Sequence, residues 1–219
     1  MNPLPHGIIS NKSSTIETSV IGVLAIQGDF DAHARVLERI GLRAFEVRRA
    51  DDLREVDGLI IPGGESTTML KFIMQEDLGP ALIDFAKQGK VVFGTCAGAI
   101  LLAREVSNPP QTSLGLIDIE VERNAYGRQV DSFIAEVETT LDGGPLEAVF
   151  IRAPVIRSVG PDVEVLANVN SRPALVRERN VLAATFHPEL TDDQRVHRLF
   201  AEMVASSRSN RNEPAVVLG

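Results

Sequence analysis

The sequence predicts a single α/β domain, with a mostly parallel central sheet flanked by helices and an antiparallel extension. Three observations predict it. The runs Val20-Ile21-Gly22-Val23-Leu24-Ala25-Ile26, Gly58-Leu59-Ile60-Ile61 and Val91-Val92-Phe93 are continuously apolar, as in strands covered on both faces. Helix-period segments separate them, the rhythm of a doubly wound sheet whose ligands sit at the strands' C-terminal ends. After Pro109-Pro110 the pattern changes to short alternating runs separated by turn residues, as in antiparallel strands.

In order, the first strand is broken by Gln27-Gly28-Asp29, and Val36, Leu37 and Ile40 then recur at helical spacing until Gly41, a good helix stop. Ala44 to Val47 reads as a second strand, and Gly58 to Ile61 as a third closed by Pro62-Gly63-Gly64. Thr67 to Lys87 holds helical patterns expected to break near Gly79-Pro80. The fourth strand, Val91 to Phe93, leads into a helix expected to reach about Glu105. Leu116–Glu122, Phe133–Glu138, Val149–Ile151, Val155-Ile156, Val163–Val169, Ala174–Val176 and Val181–Phe186 read as strands. A helix from about Asp192 to Val204 closes the pattern, with Val196, Leu199, Phe200 and Val204 on one face.

Length and composition exclude several classes. With 219 residues, 44% hydrophobic and 24% charged, the chain has the make-up of a soluble globular domain with a sizeable core. A net charge of −8 argues against a nucleic-acid footprint, which needs a basic patch. One cysteine allows no intrachain disulfide and suits a reducing cytoplasm. No apolar stretch is long enough to cross a membrane. Residues 1–19 are polar and read as a disordered extension, residues 20–205 as the domain, and residues 206–219 as a disordered tail.

The lone cysteine, Cys96, lies where the fourth strand turns into a helix, in Gly94-Thr95-Cys96-Ala97-Gly98. This is the nucleophile-elbow layout, with glycines where side chains would collide. The following helix aims free N–H groups and its positive dipole end at the sulfur, which favours a thiolate. The competing reading is a small buried hydrophobe. A nucleophilic thiol needs a base and an orienter. Of four histidines, His6 lies in the N-terminal extension, His33 reads as a surface or capping residue, and His197 as half exposed. His187 ends a strand and precedes Pro188-Glu189. Proline favours extended geometry before it, and residues two apart in an extended segment share a face. The Glu189 carboxylate can therefore reach the imidazole and fix its tautomer. Alternatively, His187 simply closes a strand beside a solvated glutamate. Backbone N–H groups of Ala97, and of Gly64 in the loop Pro62-Gly63-Gly64-Glu65-Ser66, could hold an oxyanion. A plain turn is the other reading of that loop.

Together, Gly63-Gly64-Glu65-Ser66, Gly94-Thr95-Cys96-Ala97-Gly98 and Phe186-His187-Pro188-Glu189 resemble the class I (triad) glutamine amidotransferases, which are flavodoxin-like. Within that class, Gly22–Gly28 with His33, Arg123-Asn124-Ala125-Tyr126-Gly127-Arg128-Gln129, Phe150-Ile151-Arg152-Ala153-Pro154 and Phe186–Asp193 are similar to the glutaminase subunits of pyridoxal 5′-phosphate synthase. The similarity runs from about Val20 to Val204.

The resemblance implies that Cys96 is the nucleophile, His187 the base and Glu189 its orienter. It implies that Gly64, Glu65, Ser66, Arg123, Ile151 and Arg152 bind L-glutamine. An arginine suits the substrate's α-carboxylate, although surface ion pairs are an equal reading of Arg123 and Arg152 from the residues alone. It also implies a TIM-barrel synthase partner that consumes the ammonia, weak glutaminase activity until that partner docks, and no metal or cofactor. Reorientation of the Gly63-Gly64 peptide would be a physical route to such activation. Ile134 and Val155 replace a glutamate and a histidine common in relatives, outside the triad. Alternatives are a triad glutaminase serving another biosynthetic synthase, a DJ-1-like cysteine hydrolase, and a non-catalytic binding subunit.

Overall fold

The computed structural model describes residues 19–75, 77–123 and 132–212. Strand β1 (Val20–Leu24) lies between β2 (Arg43–Val47) and β3 (Gly58–Ile61), both parallel to it. Strand β4 (Val91–Thr95) pairs parallel with β3 on one side and with β12 (Val181–Ala184) on the other. From β12 the sheet continues antiparallel through β11 (Arg172–Glu178), β10 (Glu164–Val169), β7 (Ser132–Thr139) and β8 (Leu146–Ile151). The nine-stranded order is therefore β2-β1-β3-β4-β12-β11-β10-β7-β8, a mostly parallel sheet with an antiparallel extension, as expected.

Both faces of the parallel half are covered, which is why its strands read as unbroken apolar runs. Alternate residues enter opposite cores. On one side Ile21, Val23, Ile60 and Phe93 pack with Leu37 of helix α1 (Phe30–Arg39) and with Val196, Phe200 and Val204 of α5 (Arg195–Asn212). On the other, Leu24, Leu59, Ile61 and Val92 meet α2 (Ser66–Gln75), α3 (Leu78–Lys87) and α4 (Ala97–Leu102). Leu59, Phe93 and Phe200 are fully buried, each worth about 1.5–3 kcal/mol relative to exposure. Asp29 caps α1 by accepting from the Ala32 N–H, and Gly41 follows its end at φ 82°.

Four expectations are corrected. The helix after Cys96 ends at Leu102, and the chain turns directly into β5 (Ala103–Ser107). With β6 (Ile117–Glu122) and β9 (Val155–Val159), β5 forms a separate three-stranded sheet over the α4 side. The helical break near Gly79-Pro80 falls earlier. Asp77, at φ 52°, precedes α3, and Pro80 sits in the first turn, where an N–H has no helical acceptor to lose. Helix α5 holds Ser206 to Asn212, so the C-terminal tail does not begin at 206. Residues 1–18 and 213–219, the rest of the two expected tails, lie outside the described residues. Finally, β12 stops at Ala184, short of Phe186. No helix among the described residues is long and apolar enough to cross a membrane.

Candidate functional site

Cys96 sits between β4 and α4 with φ 49° and ψ −104°. A non-glycine residue held there stores roughly 1–3 kcal/mol of backbone strain. The surroundings enforce it. The Cys96 N–H donates to the Ala184 carbonyl of β12 at 2.8 Å. A Cβ on Gly98 would lie 2.1 Å from the Ile61 carbonyl oxygen, and one on Gly94 would lie 2.6 Å from the Gly98 carbonyl carbon. The two glycines are thus required by close backbone approach, as the elbow layout implied. The sulfur lies 3.8 Å from the Ile151 carbonyl oxygen.

His187 follows the neighbouring strand, its N–H donating to the Val149 carbonyl at 2.8 Å. Its Nδ1 is 2.7 Å from Glu189 Oε1. The expected extended segment is instead a 3₁₀ turn, Pro188–Leu190, which still returns the carboxylate to the ring. Burial opposes charge on His187. The hydrogen bonds to Cys96 and Glu189 outweigh it and push its pKa up to about 10. Burial also opposes ionisation of Glu189, but the imidazoles of His33 and His187 hold it below the usual carboxylate range. Cys96, His187 and Glu189 are therefore brought together.

Gly63 packs into this group. A Cβ there would lie 2.4 Å from His187 Cε1 and 3.3 Å from Cys96 Cβ. Beyond it opens a cavity of about 160 Å³ lined by Gly64, Glu65, Ser66, Cys96, Ala97, Ile100, Arg123, Ile151 and Arg152. Every expected glutamine-binding residue faces this one space. Their local roles differ. The Glu65 carboxylate accepts from the Thr67 and Thr68 N–H groups at 3.0 and 2.8 Å and from the Thr68 hydroxyl at 2.6 Å. The Thr68 hydroxyl, chiefly, holds its pKa down to about 2. The Ser66 hydroxyl donates to Gln111 Oε1. Arg123 donates to the Thr67 hydroxyl at 3.0 Å and lies 3.8 Å from Glu65. Arg152 is exposed at φ 43°. Ala97 opens α4, where backbone N–H groups lack helical acceptors. Of the stretch from Arg123 to Gln129, residues 124–129 lie outside the described residues. Ile134 is 66% exposed on β7, whereas Val155 is buried at the start of β9.

Two histidines were misread from the sequence. His33 and His197 are both fully buried. His33 lies behind Glu189, its Nε2 3.3 Å from Glu189 Oε2. The signal was present: His33, Val36, Leu37 and Ile40 share helical spacing, as do Val196, His197, Phe200, Ala201 and Val204.

A thiol on a strand-to-helix elbow, with a His–Glu pair at the end of the adjacent parallel strand, is the arrangement of a class I glutamine amidotransferase. The comparisons agree. A crystal structure of a glutamine amidotransferase superposes with a TM-score of 0.80 at 48% identity, covering 84% of this chain and 98% of that one. The chain belongs to the SNO glutamine amidotransferase family, whose model matches residues 23–206. The pyridoxal 5′-phosphate synthase subunit PdxT of Koribacter versatilis (strain Ellin345) is 56% identical over 189 residues, covering 86% of this chain and 97% of the relative. PdxT of Solibacter usitatus (strain Ellin6076) is 55% identical over 186 residues, covering 82% and 96%.

Proposed function

We propose that this chain hydrolyses L-glutamine to L-glutamate and ammonia in the cytoplasm. It delivers the ammonia to a TIM-barrel synthase subunit that makes pyridoxal 5′-phosphate. The observation that carries the reading is the placement of His187 between Cys96 and Glu189, at the edge of a cavity that holds the expected glutamine-binding residues. Family membership, and relatives named as pyridoxal 5′-phosphate synthase subunits, support the choice of substrate and partner.

The Cys96 thiolate attacks the side-chain amide carbon of glutamine. The amide oxygen becomes an oxyanion that the Ala97 and Gly64 N–H groups would hold. His187 gives its proton to the departing nitrogen, and ammonia leaves a thioester on Cys96. Acylation removes the thiolate that had raised the His187 pKa. The now neutral imidazole can take a proton from water, which attacks the thioester carbonyl and releases glutamate. The same ring thus serves as acid first and base second, because its partner's charge changes between the steps. Arg123 and Arg152 would hold the substrate's α-carboxylate. Helix α2 exposes Phe72 (42%) and Met74 (58%), apolar area suited to a docking partner.

Ammonia release from glutamine, measured with and without the co-purified synthase subunit, tests the reading. Wild-type protein should be active with the partner and Cys96→Ala inactive. Wild-type rates in Cys96→Ala would exclude the thiol mechanism. Stimulation by a different synthase, and indifference to this one, would exclude the partner.

A further inference from the structure

Behind Glu189 a line of buried polar groups runs away from the substrate. Glu189 has two carboxylate oxygens, and His187 takes only Oε1. Its Oε2 makes no well-directed hydrogen bond, but His33 Nε2 lies 3.3 Å away. The same nitrogen is 3.2 Å from the Thr95 hydroxyl, on the last residue of β4 before Cys96. His33 Nδ1 is in turn 3.0 Å from His197 Nε2 on α5. His197 Nδ1 has no hydrogen-bond partner among the described residues.

One neutral arrangement of protons sets an N–H, and not a lone pair, beside the Glu189 carboxylate and the Thr95 hydroxyl. Glu189 is ionised, so the nitrogen beside Oε2 must carry hydrogen. His33 therefore has its proton on Nε2 and a lone pair on Nδ1. That lone pair needs a donor, so His197 also carries its proton on Nε2, leaving its own Nδ1 bare. Burial works against charge on both rings, lowering His197 to a pKa of about 3. The opposite tautomer would turn the His33 lone pair toward a carboxylate in a buried site. A leucine or phenylalanine could fill the space of His197 beside Phe93 without burying an unpaired nitrogen. What histidine adds is the N–H that fixes His33. The groups run as successive pairs, and no three ligand side chains among the described residues converge on a metal position.

We propose that His33 is a positioning residue for the triad: its Nε2–H holds the second oxygen of Glu189, and His197 fixes the tautomer that makes this possible. The proposal rests on the glutaminase reading. Helices α1 and α5, on the side of the sheet away from the small sheet, thereby help to set the orientation of His187. A carboxylate held at one oxygen can rotate about its Cγ–Cδ bond; held at both, it presents Oε1 to His187 in one plane.

Glutamine hydrolysis by His33→Leu and His33→Gln is measured in the complex with the synthase subunit, alongside wild type. Outer hydrogen-bond partners of metal-bound histidines cost about 10–100-fold when lost; taking that scale for a carboxylate–imidazole pair, His33→Leu should lower kcat by about that factor with KM nearly unchanged. His33→Gln, which retains an N–H near the lost Nε2, should recover much of it. Equal loss in both variants, or loss in neither, overturns the proposal. A second measurement does not depend on the variants folding. In the wild-type protein, ¹⁵N NMR should find His33 neutral at pH 7 with its proton on Nε2; a proton on Nδ1 overturns the proposal. An inactive wild-type complex would instead sink the glutaminase reading, leaving the tautomer measurement to stand by itself.

Discussion

Gly63→Ala adds one methyl group to the floor of the site, and the structure states what it meets. The new Cβ would lie 2.4 Å from His187 Cε1, 3.2 Å from His187 Nδ1 and 3.3 Å from Cys96 Cβ. An ordinary carbon–carbon contact is about 3.5 Å, so the ring must retreat by about 1 Å. It has little freedom to do so, because Nδ1 is bonded to Glu189 at 2.7 Å and the backbone N–H to Val149. Either the ring moves off the thiol or the His187–Glu189 bond breaks. A 1 Å misplacement of a reacting group costs about 100-fold, equivalent to about 2.7 kcal/mol in the barrier. Breaking the bond would leave a buried carboxylate oxygen without its donor, at about 1–3 kcal/mol of stability. The assay is glutamine hydrolysis in the synthase complex, with kcat and KM separated, and a thermal unfolding midpoint on the same preparation. The expected result is kcat down about 100-fold with KM changed far less. Activity within about threefold of wild type would refute the close packing of Gly63 against His187 as a constraint on the reaction.

Gly98→Ala should act through the backbone instead. Its Cβ would lie 2.1 Å from the Ile61 carbonyl oxygen, so overpacking should lower stability by about 1–3 kcal/mol in a urea unfolding titration; an unchanged midpoint would contradict it. Arg123→Ala removes a guanidinium proposed to hold the substrate carboxylate, a charged contact worth about 1.5–3 kcal/mol. KM for glutamine should therefore rise by roughly 10- to 100-fold with a smaller change in kcat, and a KM within about twofold of wild type would remove Arg123 from the substrate site. His187 has its pKa raised from 6.5 in the unfolded chain to about 10 in the folded one. Its contribution to stability is fully present below about pH 6.5 and is lost as pH rises through about 10. Cys96→Ala removes the principal hydrogen bond that raises it. The alkaline fall in unfolding midpoint should be smaller in that variant and complete at lower pH, and identical profiles would refute the Cys96–His187 pairing.

The parallel half of the fold was legible because burial on both faces leaves an unmistakable record: Val20 to Leu24, Gly58 to Ile61 and Val91 to Phe93 have no polar face to confuse the period. The end of α4 was not. Ile100-Leu101-Leu102 and Ala103-Arg104-Glu105 are equally compatible with helix, and Ala103 becomes a strand because Ile117 lies beside it in β6. Such pairing is a property of the fold, and local propensity carries no trace of it. The meeting of Cys96, His187 and Glu189 was readable because each sits in a short motif. His33 and His197 were not, since their function is visible only when three distant segments meet. Their apolar neighbours at helical spacing did mark them as buried, and treating histidine as a surface residue by default concealed it.

The direct pairing of β4 with β12 also makes the sheet a ruler. Thr95 lies opposite Ala184, so the segments carrying Cys96 and His187 leave neighbouring strand ends, about 4.8 Å apart by the spacing of any sheet. The chain between those ends forms the small sheet and the antiparallel extension. The strand-end separation is set by the β4–β12 pairing, while β8 of the extension anchors His187 through the Val149 carbonyl. Loops in this excursion can lengthen, shorten or change sequence while the two strand ends keep their spacing. Descent with modification can therefore reshape this part of the surface for a new partner, while the chemistry inherits its geometry unchanged.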